Sequence, residues 1–251
     1  MTKIIAVLNQ KGGVGKTTTC INLASFLARA GHRVLVVDAD PQANATSGLG
    51  IDKNSLKQTL YDVLFSRAEA SIVIQKLPKK NLFLLPSNRN LSGAEVEMVP
   101  LAERELRLKQ VLGSLNYDYV FIDCPPSLGL LTVNALSAAS DVLIPVQAEY
   151  YALEGLSQLL SVIAQVKQAL NPDLNILGVT ITLYDNRNAL SGQVKAELES
   201  YFGDKVFATV IPRNVRLAEA PSFGRTIDEH DKWSKGARAY KALAKEVEKR
   251  V

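Results

Sequence analysis

The stretch Gln10-Lys11-Gly12-Gly13-Val14-Gly15-Lys16-Thr17-Thr18-Thr19 constrains this chain more than any other part of it. An apolar, β-branched run, Ile4-Ile5-Ala6-Val7-Leu8, precedes it. A helical pattern through Ile21, Leu23, Ala24, Leu27 and Ala28 follows and stops at Gly31. Strand, glycine loop and helix together make a phosphate cradle. Glycines let the backbone curl so that successive N–H groups face phosphate oxygens, and the helix N-terminus adds the positive end of its dipole. Lys16 is placed to reach the β- and γ-phosphates, and the Thr17 hydroxyl to ligate Mg²⁺. Gln10 stands where the general phosphate-loop pattern has its first glycine, and a second lysine, Lys11, lies inside the loop. A glycine turn that merely joined a strand to a helix would need neither lysine.

Two further apolar runs end in carboxylates. Arg33-Val34-Leu35-Val36-Val37-Asp38 has the composition of a buried parallel strand and leads into Ala39-Asp40-Pro41. Tyr119-Val120-Phe121-Ile122-Asp123 does the same before Cys124-Pro125-Pro126-Ser127, the pattern in which a strand tip carries an aspartate to a Mg²⁺ shell. Ligands of open α/β sheets sit beyond the carboxyl ends of the strands, so Asp38, Asp40 and Asp123 are expected to face the same phosphates as the glycine loop.

The 251 residues suffice for one large α/β core. No low-complexity linker or internal repeat divides them, so residues 1–251 are read as a single domain. Further strands are expected at Leu82–Pro86, Asp141–Val146, Asn175–Tyr184 and Val206–Ile211. Helices are expected near 56–64 and 72–74, up to Gly113 with Pro100 at its first turn or as a break before it, and over Leu153–Leu170, Leu190–Phe202 and Trp233–Val251. Asn44–Gly50 has loop composition. Repeated strand and helix without a tight-hairpin signal predicts an α/β fold, a doubly wound, mainly parallel sheet flanked by helices.

Charge is uneven along the chain. Residues 1–186 hold sixteen Lys and Arg against sixteen Asp and Glu, whereas residues 187–251 hold thirteen against nine, so the whole excess of +4 lies in the last quarter. A polyanion-binding face is one reading of that excess, a solvated basic surface the other. The two cysteines, Cys20 and Cys124, have no second cysteine or histidine at ligand spacing and are expected as buried apolar side chains. His32 and His230 are expected at the surface. No membrane span or charged-then-apolar leader is evident, which predicts a cytoplasmic protein.

The loop resembles the deviant phosphate-binding motif, K-G-G-x-G-K-[ST], of the ParA and MinD family of ATPases. The likeness extends over Lys11–Thr18, Asp38–Gly50, Phe121–Ser127, Pro145–Gly155 and Ile211–Pro221, and within the family it is most similar to the Soj-type chromosomal partition ATPases. That resemblance implies an ATPase using ATP and Mg²⁺. Lys11 would cross to the nucleotide of a second copy in an ATP-dependent homodimer, with Lys16 and Asp40 completing the catalytic set. Gly12, Gly13, Val14, Gly15, Lys16 and Thr18 would cradle the phosphates, Thr17 would bind Mg²⁺, and Asp38 and Asp123 would act around the metal. Asp40 would position the attacking water, and Pro212 and Asn214 would contact adenine.

The resemblance also implies non-specific binding of double-stranded DNA, for which Arg187, Lys195, Arg213, Arg216 and Arg225 are the candidates. It further implies a ParB-like DNA-bound partner that stimulates hydrolysis, and residence at the nucleoid. A MinD-like positioning ATPase is the alternative. It would need a C-terminal membrane-binding helix, and the tail 240–251, with mostly alanine and valine on its apolar side and two glutamates near its end, has the composition of a core-packing helix.

Overall fold

The computed structural model describes residues 2–149 and 155–251. Seven strands form one sheet in the order β3-β4-β2-β5-β1-β6-β7: β1 Lys3–Val7, β2 Val34–Asp38, β3 Gln75–Lys76, β4 Leu82–Leu85, β5 Tyr119–Asp123, β6 Asp141–Gln147 and β7 Asn175–Thr182. Every pairing is parallel except that of the two-residue edge strand β3 with β4. The expected doubly wound sheet is therefore present, with one short antiparallel edge. The central strands are buried along their whole length, which explains why they are apolar runs rather than alternating ones.

Helices cover both faces. On one side lie α1 (Lys16–Ala30) and the C-terminal α12 (Lys235–Arg250), packed with Ile5, Val7, Val36 and Phe121. Between them in the chain come α2 (Asn44–Gly48), α3 (Leu60–Leu64), α4 (Ala70–Val73), α5 (Ala94–Glu97), α6 (Arg107–Gly113), α7 (Leu130–Ala138), α8 (Leu156–Ala169), α9 (Ala189–Phe202), α10 (Val215–Glu219) and α11 (Ile227–His230). Of these, α3, α6, α7 and α8 pack on the opposite side with Ala6, Leu8, Leu35 and Ile122. Alternate residues of β1 thus feed two different cores.

Several elements differ from the sequence expectation, each for a tertiary reason. Residues 44–48 form a helical turn rather than a loop, because the buried Asp38 carboxylate accepts hydrogen bonds from both the backbone N–H and the hydroxyl of Thr46 at 2.7 Å. Val206–Ile211 is not a strand. It touches β7 only at an isolated bridge and two backbone hydrogen bonds, because the Glu246 carboxylate draws the N–H groups of Ala208 and Thr209 away at 2.9 Å. Helix α6 begins only at Arg107, and α5 precedes Pro100. Helix α7 had no amphipathic signature to find, since it is buried on almost every side. The start expected for α8 at Leu153 lies outside the described residues.

Helix α12 packs inward as its composition suggested. Tyr240, Leu243, Ala244 and Val247 are buried, and the Tyr240 hydroxyl meets Thr19 of α1 at 3.1 Å. No helix among the described residues is long and apolar enough to cross a membrane.

Gly178 of β7 shows how tightly the displaced 206–211 segment lies on the sheet. A Cβ at Gly178 would collide with the Lys205 carbonyl and approach Arg250 Nη1 to 2.7 Å and Phe207 to 2.8 Å. Gly178→Ala is expected to destabilise the fold by about 1–3 kcal/mol in chemical denaturation, the range for overpacking a close-packed site. A loss under about 0.5 kcal/mol would show that this crossing is looser than described.

Candidate nucleotide site

Register brings the chemistry together. Asp38 on β2 pairs directly with Asp123 on β5, and Asp123 pairs with Val7, the last residue of β1 before the glycine loop. The three strand tips and the loop therefore open on one edge of the sheet. Helix α1 starts at Lys16, and Gly13 and Gly15 adopt φ of 75° and 85°, left-handed values that let the loop turn back on itself.

The loop is braced from outside. Asn9 donates from Nδ2 to the Pro145 carbonyl at 2.8 Å and accepts from the Lys11 N–H at 3.0 Å, so β6 holds the loop entrance. Thr182, at the end of β7, donates to the Val14 carbonyl at 2.8 Å, and its methyl group lies 3.8 Å from where a side chain on Gly15 would begin. The same strand end anchors the adenine candidates: Tyr184 accepts from the Arg213 N–H and donates its own N–H to the Ile211 carbonyl, flanking Pro212. Asn214 uses Oδ1 to cap α10 at the Leu217 N–H, which leaves its amide N–H₂ available to a ring nitrogen.

Lys16 is buried, and its ammonium donates to the Lys11 carbonyl at 3.0 Å. Burial lowers its pKa, while the nearby charges of Asp123 and Asp40 act in the opposite sense. Asp38 and Asp123 are fully buried. Burial pushes Asp38 up to about 6 despite its hydrogen bonds from Thr46 and Asp40. Asp123 is raised well above the ordinary range by burial and then by the Asp38 charge, with the Thr17 hydroxyl donating to its Oδ2 at 2.7 Å. Asp40 is buried, and its Oδ1 accepts the Gln42 N–H at 2.8 Å.

The residues fit a magnesium ion. Asp123 Oδ1 is buried without a partner, beside the Thr17 hydroxyl. Among the described residues no three His, Cys, Asp or Glu side chains form a cage of their own. One hydroxyl and an adjoining carboxylate suit Mg²⁺, which takes its remaining oxygens from phosphates and water. Cys20 and Cys124 are free and buried, and burial raises both thiols, which keeps them neutral.

Residues 2–176 match the family model described as an AAA domain. The chain is 57% identical over 98% of its length and 98% of the relative's to the sporulation initiation inhibitor protein Soj of Bacillus subtilis. It is 52% identical to the chromosome partitioning protein ParA of Myxococcus xanthus, over 99% of this chain and 88% of that one. It belongs to the Soj/ParA family of ATPases. A solved Mycobacterium smegmatis structure with bound ATP analogue and magnesium, described as a cobyrinic acid a,c-diamide synthase, superposes at a TM-score of 0.88 with 41% identity. It covers 98% of this chain and 93% of that one. As a Soj/ParA member the chain is an ATP-hydrolysing enzyme whose cofactors are ATP and Mg²⁺.

The cations expected to meet DNA differ in availability. Arg187 is fastened to Asp185 by two contacts of 3.0 and 2.8 Å, Lys195 pairs with Glu199, and Arg216 pairs with Glu219 and Asp231. Arg213 and Arg225 make no ion pair among the described residues. Sequence reasoning did not single out Asn9, Thr46, Thr182 or Glu149. Asn9, Thr182 and Glu149 act through partners more than 130 residues away, and Thr46 through Asp38 and Ser87; none lies in the glycine loop itself. His230, expected at the surface, is half-buried and stacks on Phe223 at 5.1 Å.

Two outcomes follow for this site. Thr182→Val keeps the shape and strips the Val14 carbonyl of its donor, so ATP affinity by fluorescent-nucleotide titration should fall about 5-fold, the equivalent of about 1 kcal/mol; unchanged affinity would remove Thr182 from the loop's support. The raised pKa of Asp38 means that its proton is held more tightly in the folded chain than in the unfolded one. Its stabilisation is fully present below the ordinary value of 3.8 and disappears as pH rises through about 6. Nucleotide-free protein should therefore lose on the order of 2–3 kcal/mol through this carboxyl between those pH values. Asp38→Asn should flatten that part of the stability profile.

Proposed function

We propose that this chain is a partition ATPase in which two copies clasp ATP between them, bind double-stranded DNA while so joined, and separate after hydrolysis stimulated by a ParB-like, DNA-bound partner. The observation that carries the reading is the different placement of the two loop lysines. Lys16 is buried among the strand-tip carboxylates, whereas Lys11 has its backbone fixed by Asn9 and its ammonium at the surface, 3.1 Å from Glu149. A lysine held on the rim of its own site is in position to serve the triphosphate of another copy.

The roles then divide by position. Backbone N–H groups from Gly12 to Thr18 and the Lys16 ammonium neutralise the β- and γ-phosphates. Thr17 would hold Mg²⁺, with Asp123 and Asp38 acting around it, and the ion would supply charge neutralisation at the phosphates. Asp40 accepts a hydrogen bond from the water that attacks the γ-phosphorus, and Pro212 and Asn214 pack on adenine. Phosphoryl transfer of this kind needs positioning and charge neutralisation, not a protein nucleophile. With Lys11 supplied in trans, each triphosphate is screened only in the joined state, so nucleotide controls association.

The relatives named for chromosome partitioning make DNA segregation the favoured task, with residence at the nucleoid. The excess of cations after residue 187 supplies the sequence-independent attraction to DNA phosphates. Helix α12 spends its apolar face on α1, which speaks against a MinD-like use of that helix on a membrane. The whole chain acts as a single ATPase domain in this scheme.

Lys11→Ala should bind Mg²⁺·ATP with near-normal affinity and remain monomeric by light scattering, whereas the parent chain doubles in mass with a non-hydrolysable analogue. Normal doubling by the variant would refute the trans role. Asp40→Ala should form the ATP dimer and release phosphate at least about 100-fold more slowly, in keeping with losing a residue that acts on the attacking water; turnover near the parent rate would count against Asp40.

A further inference from the structure

Glu246 and Arg250 stand four residues apart on α12, the spacing at which a glutamate and an arginine meet on one helix face. Among the described residues neither enters an ion pair. Both are half-buried, and both direct their charge at backbone. Glu246 accepts from the N–H groups of Ala208 and Thr209 at 2.9 Å each, and from the Thr209 hydroxyl. Arg250 donates from Nη1 to the carbonyls of Leu177 and Lys205 at 3.2 and 3.1 Å, and from Nη2 to that of Val206 at 3.1 Å. Its guanidinium lies 4.0 Å from the centre of the Phe207 ring. Bonds of this kind, with one partner ionised, are about twice as strong as neutral ones.

What the two residues hold is the chain on its way to Pro212 and Asn214. Phe207 and Ile211 each donate their N–H to β7, at Val179 and Ile181, and Tyr184 fixes Ile211 and Arg213 beyond them. Between Phe207 and Ile211 the N–H groups of Ala208 and Thr209 reach only Glu246. The downstream hold on the segment is thus the end of β7, and the upstream hold is α12.

Helix α12 is itself fixed on the phosphate side. The buried Tyr240 hydroxyl meets Thr19 of α1, the helix that starts at the phosphate loop, at 3.1 Å. About 15 Å of helix separates Tyr240 from Arg250 at 1.5 Å per residue. One straight element therefore touches the helix that carries the phosphate loop and the segment that leads to the base candidates.

We infer that Glu246 and Arg250 are positioning residues for base binding: α12 is a spacer, joined at Tyr240 to the phosphate-loop helix, and its last turns set where Pro212 and Asn214 stand relative to the phosphates. The inference rests on the reading of Pro212 and Asn214 as adenine contacts and adds what places them. A role confined to holding the fold together would weaken every ligand of the site alike. A role in placing the segment weakens only a ligand that carries a base.

The test is calorimetric titration of the full chain with two ligands in Mg²⁺, a non-hydrolysable ATP analogue and inorganic tripolyphosphate, which has the phosphates without sugar or base. Glu246→Ala should bind the analogue about 10-fold more weakly, near the lower end of what losing a hydrogen bond to a charged group costs, and should bind tripolyphosphate as the parent does. Arg250→Ala should show the same split, and Glu246→Gln, which keeps one acceptor oxygen, should recover part of the loss. Equal weakening of both ligands in Glu246→Ala, or no weakening of either, would overturn the proposal. Asn214→Asp tests the underlying reading separately, since it keeps an oxygen to cap α10 and lacks the amide donor. Weaker analogue binding in Asn214→Asp with none in Glu246→Ala would overturn the positioning role and leave the adenine contacts standing. Analogue affinity at the parent value in Asn214→Asp would remove the adenine contact and the positioning role with it.

Discussion

The structure depends on a charge imbalance that the fold creates and does not itself resolve. Parallel register sets Asp38 beside Asp123 at the tips of two fully buried strands, with Asp40 two residues on and the Lys16 ammonium as the nearby cation. Burial disfavours ionisation of both strand-tip carboxyls, the Asp38 charge raises Asp123 further, and the Asp40 charge adds to the rise of Asp38. A divalent cation removes that penalty, and a triphosphate in turn balances the cation, Lys16 and the loop N–H groups. The nucleotide complex is the state in which these charges close.

The supports of the loop reach into the rest of the fold. Asn9 ties the loop to β6, Thr182 ties it to β7, and the segment around Pro212 and Asn214 hangs from that same strand end. Asp38 is joined through Thr46 to the Ser87 N–H after β4. These hydrogen bonds run from the phosphate loop to β7 at one edge of the sheet and from Asp38 to Ser87, just beyond β4, near the other. Helix α12 touches α1 directly through Tyr240 and Thr19, so the helix that begins at the phosphate loop also supports the basic C-terminal face.

Much of this was legible in the sequence because it is local. The β1–loop–α1 unit, the Asp38 and Asp123 strand tips and the long helices α8, α9 and α12 all announce themselves through apolar runs or 3.6-residue spacing. What was missed is decided by tertiary contacts that carry no periodic signal. Thr46 turns 44–48 into a helix only because Asp38 is buried behind it, and Glu246 lifts 208–209 off the sheet from more than 35 residues away. Helix α7 was invisible for the opposite reason, since burial on nearly every side erases the periodic signal. The braces Asn9 and Thr182 carry no motif. The charge excess was correctly placed in the last quarter, but composition does not distinguish an arginine fastened to its own neighbour, as Arg187 is, from a lysine with no partner.

The central claim, that buried strand-tip carboxyls retain protons until the metal and nucleotide arrive, is open to direct measurement. Calorimetric titration with Mg²⁺·ATP analogue at pH 6, repeated in buffers of different ionisation enthalpy, counts the protons exchanged on binding. The account predicts net proton release that is smaller, but not abolished, in Asp38→Asn, where Asp123 still gives up its proton. No exchange, or net uptake, would mean that these carboxyls are already ionised in the empty site and that charge closure does not drive its assembly.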